Sequence, residues 1–289
     1  MSQLCFYFQP SFSGWMPTYI YEKLFIYYKS IYKDIIIKNN NILYNHNAGH
    51  KTGSHHLIIE NTHTKKYKVV TYWDRPYELF DDQCGWDNNN CLGVYSAVNA
   101  KSHANNITPT SYCAYNIEIE NYIDNINIDF NNKNNNKLYF RGYLYSSRFN
   151  LSNIVSDILT ISNNRLSYKE YVNEINSYAI GISLDGAAEI CNRDIEILGV
   201  GSVLLRPELI TTNFHDPLIP DVHYASFQRS DDSNTQLEII INKYKELINN
   251  PDHMINIAIN GNKWYHKNGN SLGNISVLSN VLNIEELLL

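Results

Sequence analysis

The chain has 289 residues, 44% of them hydrophobic, 13% aromatic and only 18% charged, enough apolar material for one large domain or two ordinary ones. Its formal net charge is −6 and it carries no long Lys/Arg stripe, which excludes non-specific binding to a nucleic-acid backbone. No apolar run approaches the roughly 20 residues that span a bilayer, and the five cysteines are scattered without a CxxC pair.

That cysteine usage predicts neither a zinc site nor a disulfide framework and fits a reducing, cytoplasmic setting. The polar surface comes from Asn, in runs at 39–41, 88–90 and 131–136, a bias that fits an AT-rich genome.

In chain order, residues 4–8 read as a buried first strand, too short and without the basic lead of a signal peptide. After the Ser13-Gly14 turn, Tyr, Leu and Ile at helical spacing predict a helix over 19–32. Strands are expected at 35–38, 55–61 and 67–72, the last ending in Trp73-Asp74-Arg75 before Pro76, which stops it. Residues 114–120 and 126–130 read as two more strands. The Asn/Lys stretch 131–137 is the most linker-like, so the boundary is expected within 131–155, giving domains 1–137 and 138–289.

The second half opens with a strand over 137–143 and helices over 153–162 and 168–175. An apolar strand over 178–184 turns at Asp185-Gly186 into a helix over 187–198, closed by Gly199 and Gly201, and a strand follows at 202–205. This is the βαβ unit of a parallel sheet. Helices over 236–247 and 276–288 complete the chain.

In open α/β sheets, ligands bind at the carboxyl ends of strands, where helix N-termini point. Asp185-Gly186 stands at such an end. Glu189, Arg193 and Glu196 share one helical face, and two readings stay open: a solvated salt-bridge stripe, or an Arg193 that pairs with a diphosphate. Phe140-Arg141-Gly142 with Ser146-Ser147-Arg148 puts guanidiniums and hydroxyls in one loop, either anion-binding equipment or surface polar groups. His223-Tyr224 is a turn into a strand or part of a pocket. Asp74 is either a turn cap or a general base. Gly49-His50-Lys51-Thr52-Gly53 lacks the Gly-Lys-Thr order of a phosphate loop. His55 and His56, adjacent on a strand, point to opposite faces and cannot chelate together, so no metal site is expected.

The series Phe140-Arg141-Gly142, Ser146-Ser147-Arg148, residues 178–186 ending in Asp185-Gly186, Arg193, Gly201-Ser202 and His223-Tyr224 resembles the capsule-associated and protein O-glucosyl/xylosyltransferase family. Related sugar-adding proteins occur in large DNA viruses. The resemblance covers residues 138–228. Glu189 and Cys191-Asn192 stand where that family has more aromatic and basic residues.

What the resemblance implies is an α/β fold of GT-B type, two Rossmann-like lobes with 1–137 binding the acceptor and 138–289 the nucleotide sugar. The implied reaction moves a sugar, xylose or glucose, from a UDP-sugar to a glycan hydroxyl, with inversion and without metal or other cofactor. Arg141, Arg148 and Arg193 would neutralise the diphosphate, and Ser146 and Ser147 would hydrogen-bond it. Asp185 would cap the helix and orient Gly186, Glu189 would bind sugar or ribose hydroxyls, and His223 and Tyr224 would line the nucleotide pocket together with Gly142. Asp74 would be the base, with Asp81, Asp82 and Asp87 behind it, and Trp73 and Trp86 would stack on acceptor sugars. The alternative is a non-catalytic carbohydrate-binding or structural protein. A dinucleotide enzyme is not expected, because residues 9–16 hold a single glycine where a Gly-rich loop is needed.

Overall fold

A computed structural model describes residues 3–8, 18–33, 36–40, 56–72, 90–97, 107–142, 158–162, 164–185 and 189–289. The chain divides into two compact units. One comprises Met1–Asn116, Thr211–Asp216 and Ser271–Leu289, the other Ile117–Ile210 and Pro217–Asn270. The chain therefore parts at Asn116, not within 131–155, and its last 19 residues, 271–289, belong to the first unit.

The first unit is built on six strands: β1 (Gln3–Tyr7), β2 (Ile36–Asn40), β3 (His56–Asn61), β4 (Tyr67–Thr71), β5 (Cys91–Tyr95) and β6 (Ile107–Thr108). They lie in the order β2-β1-β3-β4-β5-β6. Only β3 runs against its neighbours; the other pairings are parallel. In β3 and β4 the residues Leu57, Ile58, Ile59, Val69 and Val70 are buried in succession rather than alternately, as expected of strands covered on both faces. Helix α1 (Thr18–Ile31) buries Tyr21, Leu24 and Tyr28, spaced i, i+3, i+7, a stripe on one face.

The second unit begins with helix α2 (Ile117–Asp124), where the sequence predicts a strand over 114–120. Ile and Glu alternate there, which imitates a half-buried strand. The packing uses helical spacing instead: Ile119 and Ile123, one turn apart, are both buried. Residues 126–130 are irregular, and the expected linker is largely the start of β7 (Asn134–Arg141). Asn134 N–H donates to Ser177 O at 2.8 Å, so backbone pairing carries a stretch whose side chains have little strand preference.

β8 (Leu159–Ser162) occupies the end of the predicted 153–162 helix, whose first residues lie outside the described ones. Then follow α3 (Tyr168–Asn176), β9 (Tyr178–Ile182), α4 (Asn192–Gly199), β10 (Val203–Pro207), β11 (Ala225–Phe227), α5 (Ser233–Asn249) and α6 (Pro251–Trp264). The helix expected over 187–198 thus starts only at Asn192. α6 was not foreseen, although Asn250 caps it by accepting from His253 N–H and Pro251 opens it.

Tyr265–Gly269 is a π-helical turn. In the first unit, α7 (Ser271–Leu282) ends at Asn283, whose φ is 35°, and a short 3-10 turn, Ile284–Leu287, replaces the rest of the predicted helix.

The second sheet has the order β11-β10-β9-β7-β8, and all four pairings are parallel. Its core joins Leu138, Phe140, Ile180, Ile182, Val203 and Leu205 to Ile240, Tyr244, Met254 and Ile257 of α5 and α6. Gly181 and Gly261 let helices approach closely. A Cβ on Gly181 would stand 2.9 Å from Ile197, and one on Gly261 would stand 2.5 Å from the His223 carbonyl. No helix among the described residues is long and apolar enough to cross a membrane.

Candidate functional site

In chain order the strands of the second sheet read 2-1-3-4-5, a doubly wound arrangement whose direction of winding reverses between β7 and β9. Ligands of such sheets bind outside the carboxyl ends of the strands at that reversal. Three sequence features meet there: Arg141-Gly142 at the end of β7, Ser183 to Asp185 after β9, and the first turn of α4.

Arg193, in that first turn, lies over Phe140 with its guanidinium carbon 4.8 Å from the ring centroid. A cation over an aromatic face is held electrostatically while its N–H groups stay available. Gly142 makes room for it. The φ there is +145°, and a Cβ would stand 2.6 Å from Arg193 Nη2. Arg193 Nη1 is buried and has no hydrogen-bond partner, and Arg193 has no carboxylate in ion-pairing range among the described residues. A buried donor left without a partner costs about 1–3 kcal/mol, more when charged, which is what an anion at this position would relieve.

Arg141, at the end of β7, is committed elsewhere. Arg141 Nε donates to Tyr139 Oη and to Glu174 Oε2, both at 2.8 Å, and its Nη2 also pairs with Glu174. Its Nη1 donates to the Asn164 carbonyl. The charge of Arg141, read from the sequence as a diphosphate ligand, is thus neutralised by a carboxylate of α3.

Asp185 does not cap α4. It accepts from Arg206 Nη2 at 3.3 Å and from Arg229 Nε at 2.9 Å. Its burial raises its pKa above the ordinary carboxylate value in spite of those two cations. The cap is instead made by Asp194, which accepts from Cys191 N–H at 2.6 Å. Glu189 precedes the helix and does not share its face with Arg193. It pairs with Arg229 Nη2 at 3.0 Å and accepts from Ile210 N–H.

Glu196 accepts from Tyr171 Oη of α3. The three residues at 189, 193 and 196 are therefore not a solvated stripe; Glu196 is buried and Arg193 half-buried. His223 Nδ1 accepts from Ile219 N–H at 2.9 Å, and Tyr224 is fully buried with its hydroxyl accepting from Leu209 N–H at 3.4 Å. Burial also raises the pKa of that phenol. Tyr224 is core, not pocket lining.

Asp74, Trp73, Trp86, Ser146, Ser147, Arg148 and Gly186 lie outside the described residues, as do Asp81, Asp82 and Asp87. Residues the sequence reading did not single out are Glu174, Asp194, Arg206 and Arg229. Their ion-pair partners lie far away in the chain, so spacing gives no sign of those pairs.

The fold they stand on is of GT-B type, two α/β units with one fully parallel doubly wound sheet. Two solved structures of an alpha-glucosyltransferase, each at 7% identity, share it. The one with UDP and a 13-mer DNA containing a HMU base matches over 97% of this chain and 99% of its own, with a TM-score of 0.52. The other, with UDP and a DNA bearing a central A:G mismatch, matches over 98% of this chain and 100% of its own, with a TM-score of 0.51. Anabaena HepE, solved with UDP and glucose, aligns over 74% of this chain and 70% of its own at 10% identity and a TM-score of 0.49. No protein-family model matches the chain, and no curated protein matches it.

Proposed function

We propose that the protein is a glycosyltransferase that takes a sugar from a UDP-sugar and places it on a glycan hydroxyl, the second unit holding the donor. The observation that carries this reading is Arg193: a half-buried guanidinium beside Gly142, its Nη1 buried without a hydrogen-bond partner among the described residues, at the winding reversal of a parallel sheet, in a fold shared with an alpha-glucosyltransferase solved with UDP. A guanidinium fork matches phosphate oxygens, and a cation fixed where the diphosphate departs stabilises the charge that develops there. Arg148 would add a second cation, Ser146 and Ser147 their hydroxyls, so that no metal is needed.

In the reaction the acceptor oxygen bonds to the anomeric carbon as the bond from that carbon to the diphosphate oxygen breaks. The electron pair leaves with UDP. Asp74 takes the acceptor proton, worth about 10²–10⁴-fold in rate. This course inverts the anomeric centre. Transfer from α-linked UDP-glucose to an α-linked product, the chemistry that the name alpha-glucosyltransferase describes, retains it. Xylose and glucose are the donor sugars favoured. For the acceptor, the net charge of −6 favours a glycan over the DNA bound in those alpha-glucosyltransferase structures.

The test is calorimetric titration with UDP, GDP and their sugar conjugates, with and without Mg²⁺. Metal-independent UDP binding is expected, and Arg193→Ala is expected to weaken it about a hundredfold while thermal unfolding stays cooperative. Normal UDP affinity in that variant overturns the donor site. The product's anomeric configuration, read by NMR, decides between the inverting step through Asp74 and retention. Absence of nucleotide binding together with glycan binding selects the non-catalytic carbohydrate-binding alternative.

A further inference from the structure

The segment from Asp185 to Asp194 carries Arg193 and leads into α4, and one side chain holds it from beneath. Arg206, near the carboxyl end of β10, is the largest fully buried side chain among the described residues, at 1% exposure. Its Nε donates to Pro207 O at 3.1 Å. Its Nη2 reaches Asp185 Oδ1 at 3.3 Å and donates to the Glu189 carbonyl. Its Nη1 lies 3.2 Å from Asp194 Oδ1, an ion pair without hydrogen-bond alignment, and that carboxylate is as buried as Arg206 itself.

One planar fork thus grips the chain just before residues 186–188, just after them, and in the first turn of α4. The grip is extended by Asp194, whose other oxygen accepts from Cys191 N–H, and by Arg229, which joins the Asp185 and Glu189 side chains on the exposed side. Burying the charges of Arg206 and Asp194 beneath one turn is expensive unless each is paired. An apolar core would stabilise the same strand at lower cost, but it would not set three points of a loop relative to one another.

The geometry points to Arg206 as a positioning residue for the donor site. By fixing Asp185, the Glu189 carbonyl and Asp194 together, it sets where α4 begins and so where Arg193 presents its guanidinium to the diphosphate. This rests on the donor reading of the preceding section. Arg206 touches no substrate atom in this account and acts only through the turn.

The experiment compares Arg206→Lys with the double variant Arg206→Met/Asp194→Asn, by thermal unfolding, UDP titration, and hydrogen exchange of the amides at 189–194. Arg206→Lys keeps a cation for Asp194 but replaces the fork by one ammonium. The double variant removes both buried charges, leaves an Asn oxygen to cap Cys191 N–H, and keeps the protein folded if the single variant does not. Both are expected to unfold cooperatively, to exchange faster at 189–194, and to bind UDP about tenfold to a hundredfold more weakly, the size of loss that small misplacements cause. The KM for the donor should rise while retained transfer keeps the wild-type acceptor KM. UDP affinity within twofold of wild type, in a folded variant of either kind, overturns the proposal. If the wild type itself binds no nucleoside diphosphate, the donor reading fails on that result alone. Exchange then decides separately: unchanged protection at 189–194 shows that Arg206 does not order the turn, and faster exchange shows that it does.

Discussion

Arg141 and Arg193 carry the same charge at the same edge of one sheet, yet of the two only Arg141 has a carboxylate in ion-pairing range among the described residues. The difference is one carboxylate: Glu174 takes Arg141 through two nitrogens, whereas Arg193 has an aromatic face beneath it and a glycine beside it. Gly142 is therefore the residue on which Arg193 depends most directly. At φ +145° an alanine is strained by roughly 1–3 kcal/mol, and its methyl would occupy space held by Arg193 Nη2. Gly142→Ala should lower the midpoint of thermal unfolding modestly and weaken UDP binding more than that loss accounts for. A fall in stability with unchanged UDP affinity would show that Arg193 does not need its present place. The sequence order Phe-Arg-Gly with a distant Arg makes this pair visible. It also names Arg141 as the phosphate ligand, because the 33-residue separation to Glu174 hides the ion pair.

At the scale of elements, legibility followed how local the determinants are. α3 has a reciprocal capping box: Ser167 accepts from Glu170 N–H, and Glu170 accepts from Ser167 N–H at 2.9 Å. Its extent was readable to within a residue. The strand–turn–helix–strand run over 178–205 was readable because apolar β9 and β10 flank a Gly-closed helix. α2 was not, because Ile-Glu alternation mimics a strand until Gly199 offers Ile123 a place to pack, its absent Cβ lying 2.7 Å from Ile123 Cγ2. The start of β7 is not legible, because Asn134 to Asn136 have no apolar pattern and are held by hydrogen bonds. Ser167→Ala should cost about 0.5–2 kcal/mol by unsatisfying the start of α3, measured as a lower denaturant midpoint. Nucleotide affinity should not change, because α3 reaches the site only through Glu174 and Tyr171. A change in affinity would place α3 in the donor site.

For the whole molecule, the order of units along the chain matters more than their sequence boundaries. Residues 271–289 return to the first unit, and they complete its core. Lys68 of β4, only 1% exposed, donates to the carbonyls of Leu282 and Asn283 and to Glu286 Oε2 at 2.6 Å. Asn61 donates to the Leu287 carbonyl, Tyr72 Oη to Asn274, and α7 packs on α1. Removing the segment takes away the Leu282, Asn283 and Glu286 partners of the Lys68 ammonium and exposes the apolar surface that α7 covers. A chain ending at Asn270 should therefore lose the first unit's protection from proteolysis, while the second unit, all of whose residues it retains, keeps its fold and its UDP binding. Acid should act on the same clamp. The hydrogen bond from Lys68 holds the Glu286 carboxyl below its ordinary pKa. Its contribution is thus complete above the ordinary carboxylate range and is lost as pH falls through the depressed folded value. Glu286→Gln should flatten that part of the acid-unfolding curve of the first unit and leave the second unchanged. Equal acid sensitivity in both proteins would mean that Lys68 is held by the two carbonyls alone.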